Sequence, residues 1–424
     1  MPVRDLSELE LTALAFVDER ELVRDLVGLV SVPSVSGSDA ESEVQHLLAK
    51  QLSHLELNLD LWPLDLAELT ADADFPGWEV ARNESWGLVA STAGFQEEPG
   101  LVLPGHVDVV PPGDLGRWSG APFVPRVDRH RVHGRGTVDM KAGVIANIAA
   151  LRAVREAGIP LRRPVALHLV VGEEDGGLGA FATLRRGHRG AACVITEPTS
   201  GTVVTANAGA LTFEVAVPGM ATHGSTAYAG VSAFDAFLPV HRALSRLESL
   251  RHGAVDPLMA EYPLAYPLSV GRVTCGDWAS SVPDLLVAEG RLGVALDEDP
   301  AAARAAFEEA GAEAAAADPW LRDHAPTVTW TGGQFASGRY AGDGGMLLET
   351  VAGAHTDVTG GPRPRERGAP YGSDLRLYAD AGIPTLHYGP GDVRLAHSPD
   401  ESVPVDELVA VTETLVLTIL RTCA

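Results

Sequence analysis

Apolar residues follow two patterns along this chain, and the change between them comes near residue 208. Before that point, helical and strand-like stretches alternate. Residues 8–30 and 40–55 carry Leu and Val at helical spacing. Two short apolar runs follow, WGLVAST and GLVLPGHVDVVP, each bounded by Gly or Pro as buried strands are. Residues 141–157 (KAGVIANIAALRAVREA) predict a helix closed by Gly158 and Pro160. PVALHLVV and AACVITEP read as two more buried strands. Strands alternating with helices predict an α/β architecture on a mostly parallel sheet.

After residue 208 the period changes. LTFEVAVPG alternates as a half-exposed strand should, and residues 231–251 read as one helix. LSVGRVTCG and LLVAEGRLGVAL are further alternating strands, residues 300–317 form an Ala- and Glu-rich helix, and PTVTWTGG closes the segment. This order predicts a small α+β domain, ferredoxin-like, with one face covered by its helices. It is inserted, because α/β character returns after residue 340 with the buried strand IPTLHYGPG. The expected division is 1–208 and 336–424 for the first domain and 209–335 for the insert. Residues 360–373 (GGPRPRERGAPYGS) are expected to be loop throughout, broken by Pro and Gly.

Composition narrows the classes. With 424 residues and 46% hydrophobic content, the chain can build two domains, each with its own core. A formal charge of −25 argues against nucleic acid or an anionic membrane surface as partner. Three widely spaced cysteines without a CxxC argue against thiolate zinc sites and a disulfide framework, and predict a reducing cytoplasm. The first residues, MPVRDLSELELTALAF, read as an acidic amphipathic helix rather than a signal peptide. No apolar run reaches the roughly 18 residues of a membrane span.

The chemistry sits where strands end. Buried strands rarely end in unpaired acids, because a carboxylate out of water is costly unless a cation compensates it. Here GHVD places His106 and Asp108 one residue apart, on the same side of a strand end. Asp139 lies in the turn before a helix N-terminus, where the dipole favours an anion. GEEDG places Glu173 and Glu174 side by side, so that one can bind metal while the other stays free. Glu197 follows the strand AACVIT, and His397 follows the Gly-rich turn after IPTLHYG. Oxygen and imidazole ligands without thiolate favour Zn²⁺, with Co²⁺ or Mn²⁺ as alternatives. Four carboxylates and two histidines are too many for one ion and suit two, about 3.5 Å apart and bridged by a carboxylate. Such a pair activates water, and a free carboxylate beside it can move the proton.

GHVDVVP, GRGTVDMKAG, GEEDGG, ITEPT and GPGDVRLAHSPDE occur in this order. The set resembles the acetylornithine deacetylase/succinyl-diaminopimelate desuccinylase family, which also contains aminoacylases and a glutamate-releasing carboxypeptidase. The likeness runs from about residue 20 to the C-terminus. It implies that His106 and Glu197 hold one zinc, Glu174 and His397 the other, and that Asp139 bridges them. Glu173 would be general base and acid, with Asp108 orienting His106. The insert would be a lid and dimerisation domain, with His223, in VPGMATHGS, reaching across a homodimer to the oxyanion. Arg291 would grip a substrate carboxylate.

Two departures fall on the substrate side. Ser280-Ser281-Val282-Pro283 stands where many relatives carry Asn before Val-(Val/Ile)-Pro. In the loop running to Ser373, Tyr371 adds bulk where small residues are commoner. Glu197, rather than Asp, resembles the deacylases and carboxypeptidases. The expectation is a cytoplasmic dizinc hydrolase acting on the amide of an N-acetyl, N-formyl or N-succinyl amino acid or related amine. A dipeptidase or carboxypeptidase is the alternative, and a binding protein that has lost catalysis is a more distant one.

Overall fold

The computed structural model describes residues 6–253 and 255–424. The first five residues of the expected N-terminal helix lie outside the described part. Glu8–Leu14 is helical, started by a capping box between Ser7 and Glu10. The helical spacing of 8–30 belongs to two helices, because Asp18 caps a second one, Glu19–Val30, through the amides of Arg20 and Glu21.

A nine-stranded sheet forms the main body. Eight strands follow the order Asn58–Pro63, Trp86–Ser91, Val165–Val170, Leu101–His106, Cys193–Ile195, Thr385–His387, Val203–Asn207 and Gly338–Arg339, and the ninth, Glu366–Ala369, pairs with Val203–Asn207 off this path. The four strands in the middle, from Val165–Val170 to Thr385–His387, run parallel. Those flanking them on the path are antiparallel. Helices cover both faces of the parallel centre, which is why its strands are continuous apolar runs. Crevices outside the carboxyl ends of parallel strands are where α/β sheets bind ligands, and His106 ends one of these strands.

The helix Ala142–Glu156 is buried along most of its length and lies very close to the sheet. A Cβ on Gly143 would fall 2.2 Å from the carbonyl oxygen of Thr196. No larger residue fits there without moving the strand end that carries Glu197.

One sequence expectation fails. Residues 360–373 are not all loop, because Glu366–Ala369 is a strand paired in parallel with Val203–Asn207. It lies between Pro364 and Pro370, so neither proline interrupts the ladder, and it pairs on one side only. Its register shifts between Arg367 and Gly368.

The insert forms its own antiparallel sheet, in the order Leu268–Cys275, Leu285–Val294, Gly209–Pro218, Thr327–Phe335. With the helices Ala233–Arg251 and Pro300–Ala317 this gives the strand-helix-strand-strand-helix-strand order of the ferredoxin-like fold. The helices and sheet enclose a separate core in which Phe213 and Phe307 meet at 4.5 Å between ring centroids. The two bodies also touch away from the chain crossings. Gln334 donates its amide to the Pro76 carbonyl at 2.9 Å, and the Thr212 hydroxyl donates to Glu79 at 3.0 Å. No helix among the described residues is long and apolar enough to cross a membrane.

Candidate metal centre

The strand Leu101–His106 delivers His106 to the sheet edge, and the chain turns so that Asp108 folds back beneath it. His106 Nδ1 lies 3.0 Å from the Asp108 carbonyl oxygen and 3.6 Å from its carboxylate. Asp108 is fully buried and also accepts from the backbone amides of Glu173 and Glu174, both at 3.3 Å, and from Ser36 Oγ at 3.0 Å. One carboxylate therefore fixes both the imidazole and the GEEDG turn.

His106 Nε2 faces the other acids, 3.1 Å from Asp139 Oδ1 and 3.8 Å from Glu197 Oε1. On the opposite side, His397 Nε2 is 3.0 Å from Glu174 Oε2 and 3.4 Å from Asp139 Oδ2. Asp139 thus has one oxygen toward each histidine. Two trios place their ligand atoms within 4.8 Å of one another: His106 with Glu173 and Glu197, and His106 with Asp139 and Glu174.

The electrostatics call for cations. Asp108, Asp139, Glu173, Glu174, Glu197 and Asp374 crowd around two imidazoles. Glu174 Oε1 is buried with no hydrogen-bond partner, a costly state for a carboxylate oxygen. Burial, and after it the charges of Asp374 and Glu197, push Glu173 well above the usual carboxylate range. Glu197 is pushed the same way by burial and by Asp139. Burial works against a charge on His397, yet Glu174 and Asp139 hold its pKa up at about 11. Imidazole and carboxylate donors at this spacing, with an unanswered buried oxygen among them, fit divalent metal ions. Two such ions would be held by His106, Glu197, Asp139, Glu174 and His397.

Sequence reasoning missed the residues that brace this cluster. Arg82, 1% exposed at its side chain, bridges Glu41 at 2.9 Å and Asp175 at 2.9 Å. Asp175 directly follows the two glutamates and also accepts from the amides of Glu79 and Val80. Glu401 performs the same service for the Asp139 turn. It accepts from the amides of Val138 at 2.8 Å and Asp139 at 3.2 Å, and Arg135 holds it at 2.6 Å. Glu401 lies within the quoted motif GPGDVRLAHSPDE, whereas nothing in the segment around Arg82 marks it.

A cleft of about 400 Å³ opens above these acids, walled by Glu79, Thr212, Arg291, Phe335, Tyr371 and Ser373. Arg291 lines it and donates to the Pro370 carbonyl at 3.2 Å. Ser373 lines it too, but its hydroxyl is engaged by His387 Nε2 at 3.1 Å and by the Leu375 amide at 3.2 Å. His223 and Ser280 are not brought to the cleft within one chain. Both are exposed on the insert, where Gly224 donates its amide to Ser280 O and His223 Nδ1 pairs with Ser225 Oγ at 2.7 Å.

Comparison with known proteins decides the family. The sequence profile of Peptidase family M20/M25/M40 matches residues 102–421. The chain belongs to this family. As an M20-family protein it is a metal-dependent hydrolase. It is 26% identical to an N-formyl-4-amino-5-aminomethyl-2-methylpyrimidine deformylase of Halalkalibacterium halodurans over 440 residues, covering 97% of this chain and 96% of the relative. It is 31% identical to a succinyl-diaminopimelate desuccinylase of Gluconacetobacter diazotrophicus over 332 residues, covering 74% and 79%. The crystal structure of a tripeptidase from Staphylococcus aureus shares the fold, with a TM-score of 0.71, 20% identity, and coverage of 96% of this chain and 99% of that one.

Proposed function

We propose that this M20-family protein is a cytoplasmic dizinc amidohydrolase that removes a formyl, acetyl or succinyl group from an amino acid or related amine. The observation carrying the reading is Asp139, with one carboxylate oxygen toward His106 and the other toward His397. His106 and Glu197 would hold one ion and Glu174 and His397 the other, with Asp139 available to both. When bound, the two ions polarise the amide carbonyl and make an attacking water more acidic. Glu173 takes the proton from that water and delivers it to the departing nitrogen, a task suited to a carboxyl whose pKa burial has raised. Asp108 keeps His106 in one orientation through its Nδ1 side.

Arg291 grips a carboxylate on the substrate. Burial lowers its pKa and no ion pair offsets that burial among the described residues, so a guanidinium is waiting for an anion. Ser373 shapes the same wall from its place against His387.

Residues 209–335 act as lid and dimerisation domain over the catalytic body of 1–208 and 336–424. Two features support a homodimer. Leu268–Cys275 is a largely exposed edge strand, and Tyr228, Phe234, Val273 and Trp278 expose apolar surface on the same domain. In that dimer His223 would reach in from a second copy of the chain, with Ser280 beside it.

The test is a panel of N-formyl, N-acetyl and N-succinyl amino acids, run beside dipeptides on protein loaded with Zn²⁺, Co²⁺ or Mn²⁺. Hydrolysis of an N-acyl amino acid with dipeptides left intact is the expected result. Preferential cleavage of dipeptides would instead make the protein a peptidase on this scaffold.

A further inference from the structure

One wall of the cleft is not explained by its acids. Tyr371 stands there, on the loop between the strand Glu366–Ala369 and the helix Leu375–Asp380. Its ring lies parallel to the His387 imidazole, with an interplanar angle of 5° and 6.4 Å between centroids. The loop is pinned from the other side, since a Cβ on Gly372 would fall 2.6 Å from Phe335. Held in this way, the Tyr371 hydroxyl is buried and has no hydrogen-bond partner. An unpaired buried donor costs on the order of 1–3 kcal/mol. Native structures keep few such groups, so this one calls for an explanation.

The unanswered donor therefore belongs to a residue of the cleft wall, which Arg291 also lines. Tyr371 lines the same cleft as Asp139, Glu173, Glu174 and Glu197, where a scissile carbonyl would be placed. An oxygen that gains charge during hydrolysis is best stabilised by a donor fixed in advance. The expected donor, His223, is exposed on the insert in the single chain. Tyr371 is already in the cleft.

We propose that Tyr371 is a further catalytic residue, donating its phenolic hydrogen to the acyl oxygen as that oxygen becomes an oxyanion. This rests on the amide-hydrolase reading above. The donor comes from the same chain as Glu173, so the site holds part of its oxyanion support without a second copy.

The decisive variant is Tyr371→Phe, which removes one oxygen and leaves the ring on His387. Using the best substrate of the N-acyl panel, kcat falls on the order of a hundredfold, the scale of a lost oxyanion donor. KM stays within about threefold, because the bond strengthens only in the transition state. Metal content and melting temperature stay as in the parent, which a merely structural role would not predict. The second measurement needs no turnover: calorimetric binding of methylphosphonate, a tetrahedral oxyanion, to the zinc-loaded protein. Tyr371→Phe should bind it about tenfold more weakly, a modest share of a full oxyanion contact. An unchanged kcat, or unchanged methylphosphonate affinity, overturns the proposal. If the parent hydrolyses no amide in the panel, the functional reading fails by itself and methylphosphonate still decides the role of Tyr371.

Discussion

The floor and the roof of the cleft are built by different rules. On the floor, three segments that carry the acids are braced by buried groups: Asp108 accepts from the Glu173 and Glu174 amides, Glu401 accepts from the Asp139 amide, and Arg82 pairs with Asp175. On the roof His223 and Ser280 are exposed and bonded only to their near neighbours on the insert. On the proposed reading, the contrast is that the proton-moving and metal-holding parts would be assembled within one chain. On that reading His223 and Ser280 await a second copy of the chain. Fixing the floor in advance lowers the reorganisation needed during reaction, and an open roof lets substrate enter.

The sharpest way to break this division is at Glu173. Glu173→Ala should remove turnover by roughly three to four powers of ten, as for a lost general base. Mass spectrometry of the metals should still find close to two ions per chain. Substantial residual activity would take Glu173 out of the proton-moving role.

His223→Ala tests the roof, with an expected fall in kcat of about two to three powers of ten. Mixing His223→Ala and Glu173→Ala chains and letting the subunits exchange should restore activity. One site of each mixed dimer would then have an intact Glu173 and an intact His223. Failure to recover would confine His223 to its own chain.

Arg82 is a positioning residue of the floor, and Arg82→Met leaves Glu41 and Asp175 buried and unpaired. A loss of about 3–5 kcal/mol of stability is expected, as for other broken buried pairs. The turn carrying Glu173 would loosen, lowering kcat more than it raises KM. Thermal melts and steady-state kinetics together check this. A variant with an intact melt and intact kcat would show that the GEEDG turn holds itself.

A further expected effect is on acid stability, and it too belongs to the main body. Burial lowers both His168 and His387 from an ordinary 6.5 to about 3. Their neutral forms are favoured in the fold, so the unfolded chain binds more protons between those values. Stability should be complete above pH 6.5 and fall progressively as pH drops toward 3. Melting temperatures from pH 7.5 to 4.5 should decline, and His168→Phe should flatten the decline.

How much of this was legible in the sequence follows from how local each signal is. His106, Asp108, Asp139, Glu173, Glu174, Glu197 and His397 each sit in a short block of Gly, Pro and apolar residues that marks a strand end or helix start. A linear reading finds those. Arg82 pairs with Asp175 across 93 residues, and nothing beside it announces the partner. The strand Glu366–Ala369 escaped because its prolines flank the ladder, a distinction composition does not carry. Tyr371 was noticed for its bulk, but only the fold shows that its hydroxyl is buried and unanswered.

Gly143 has a further consequence. It carries no side chain, forms no bond to any acid, and lies on a helix behind the cleft. Yet any Cβ there would press on the Thr196 carbonyl and displace the residue that follows it, Glu197. In a saturation library scored for activity, position 143 should therefore be as intolerant as a ligand. Its vacancy would register as function, although nothing at that position reacts.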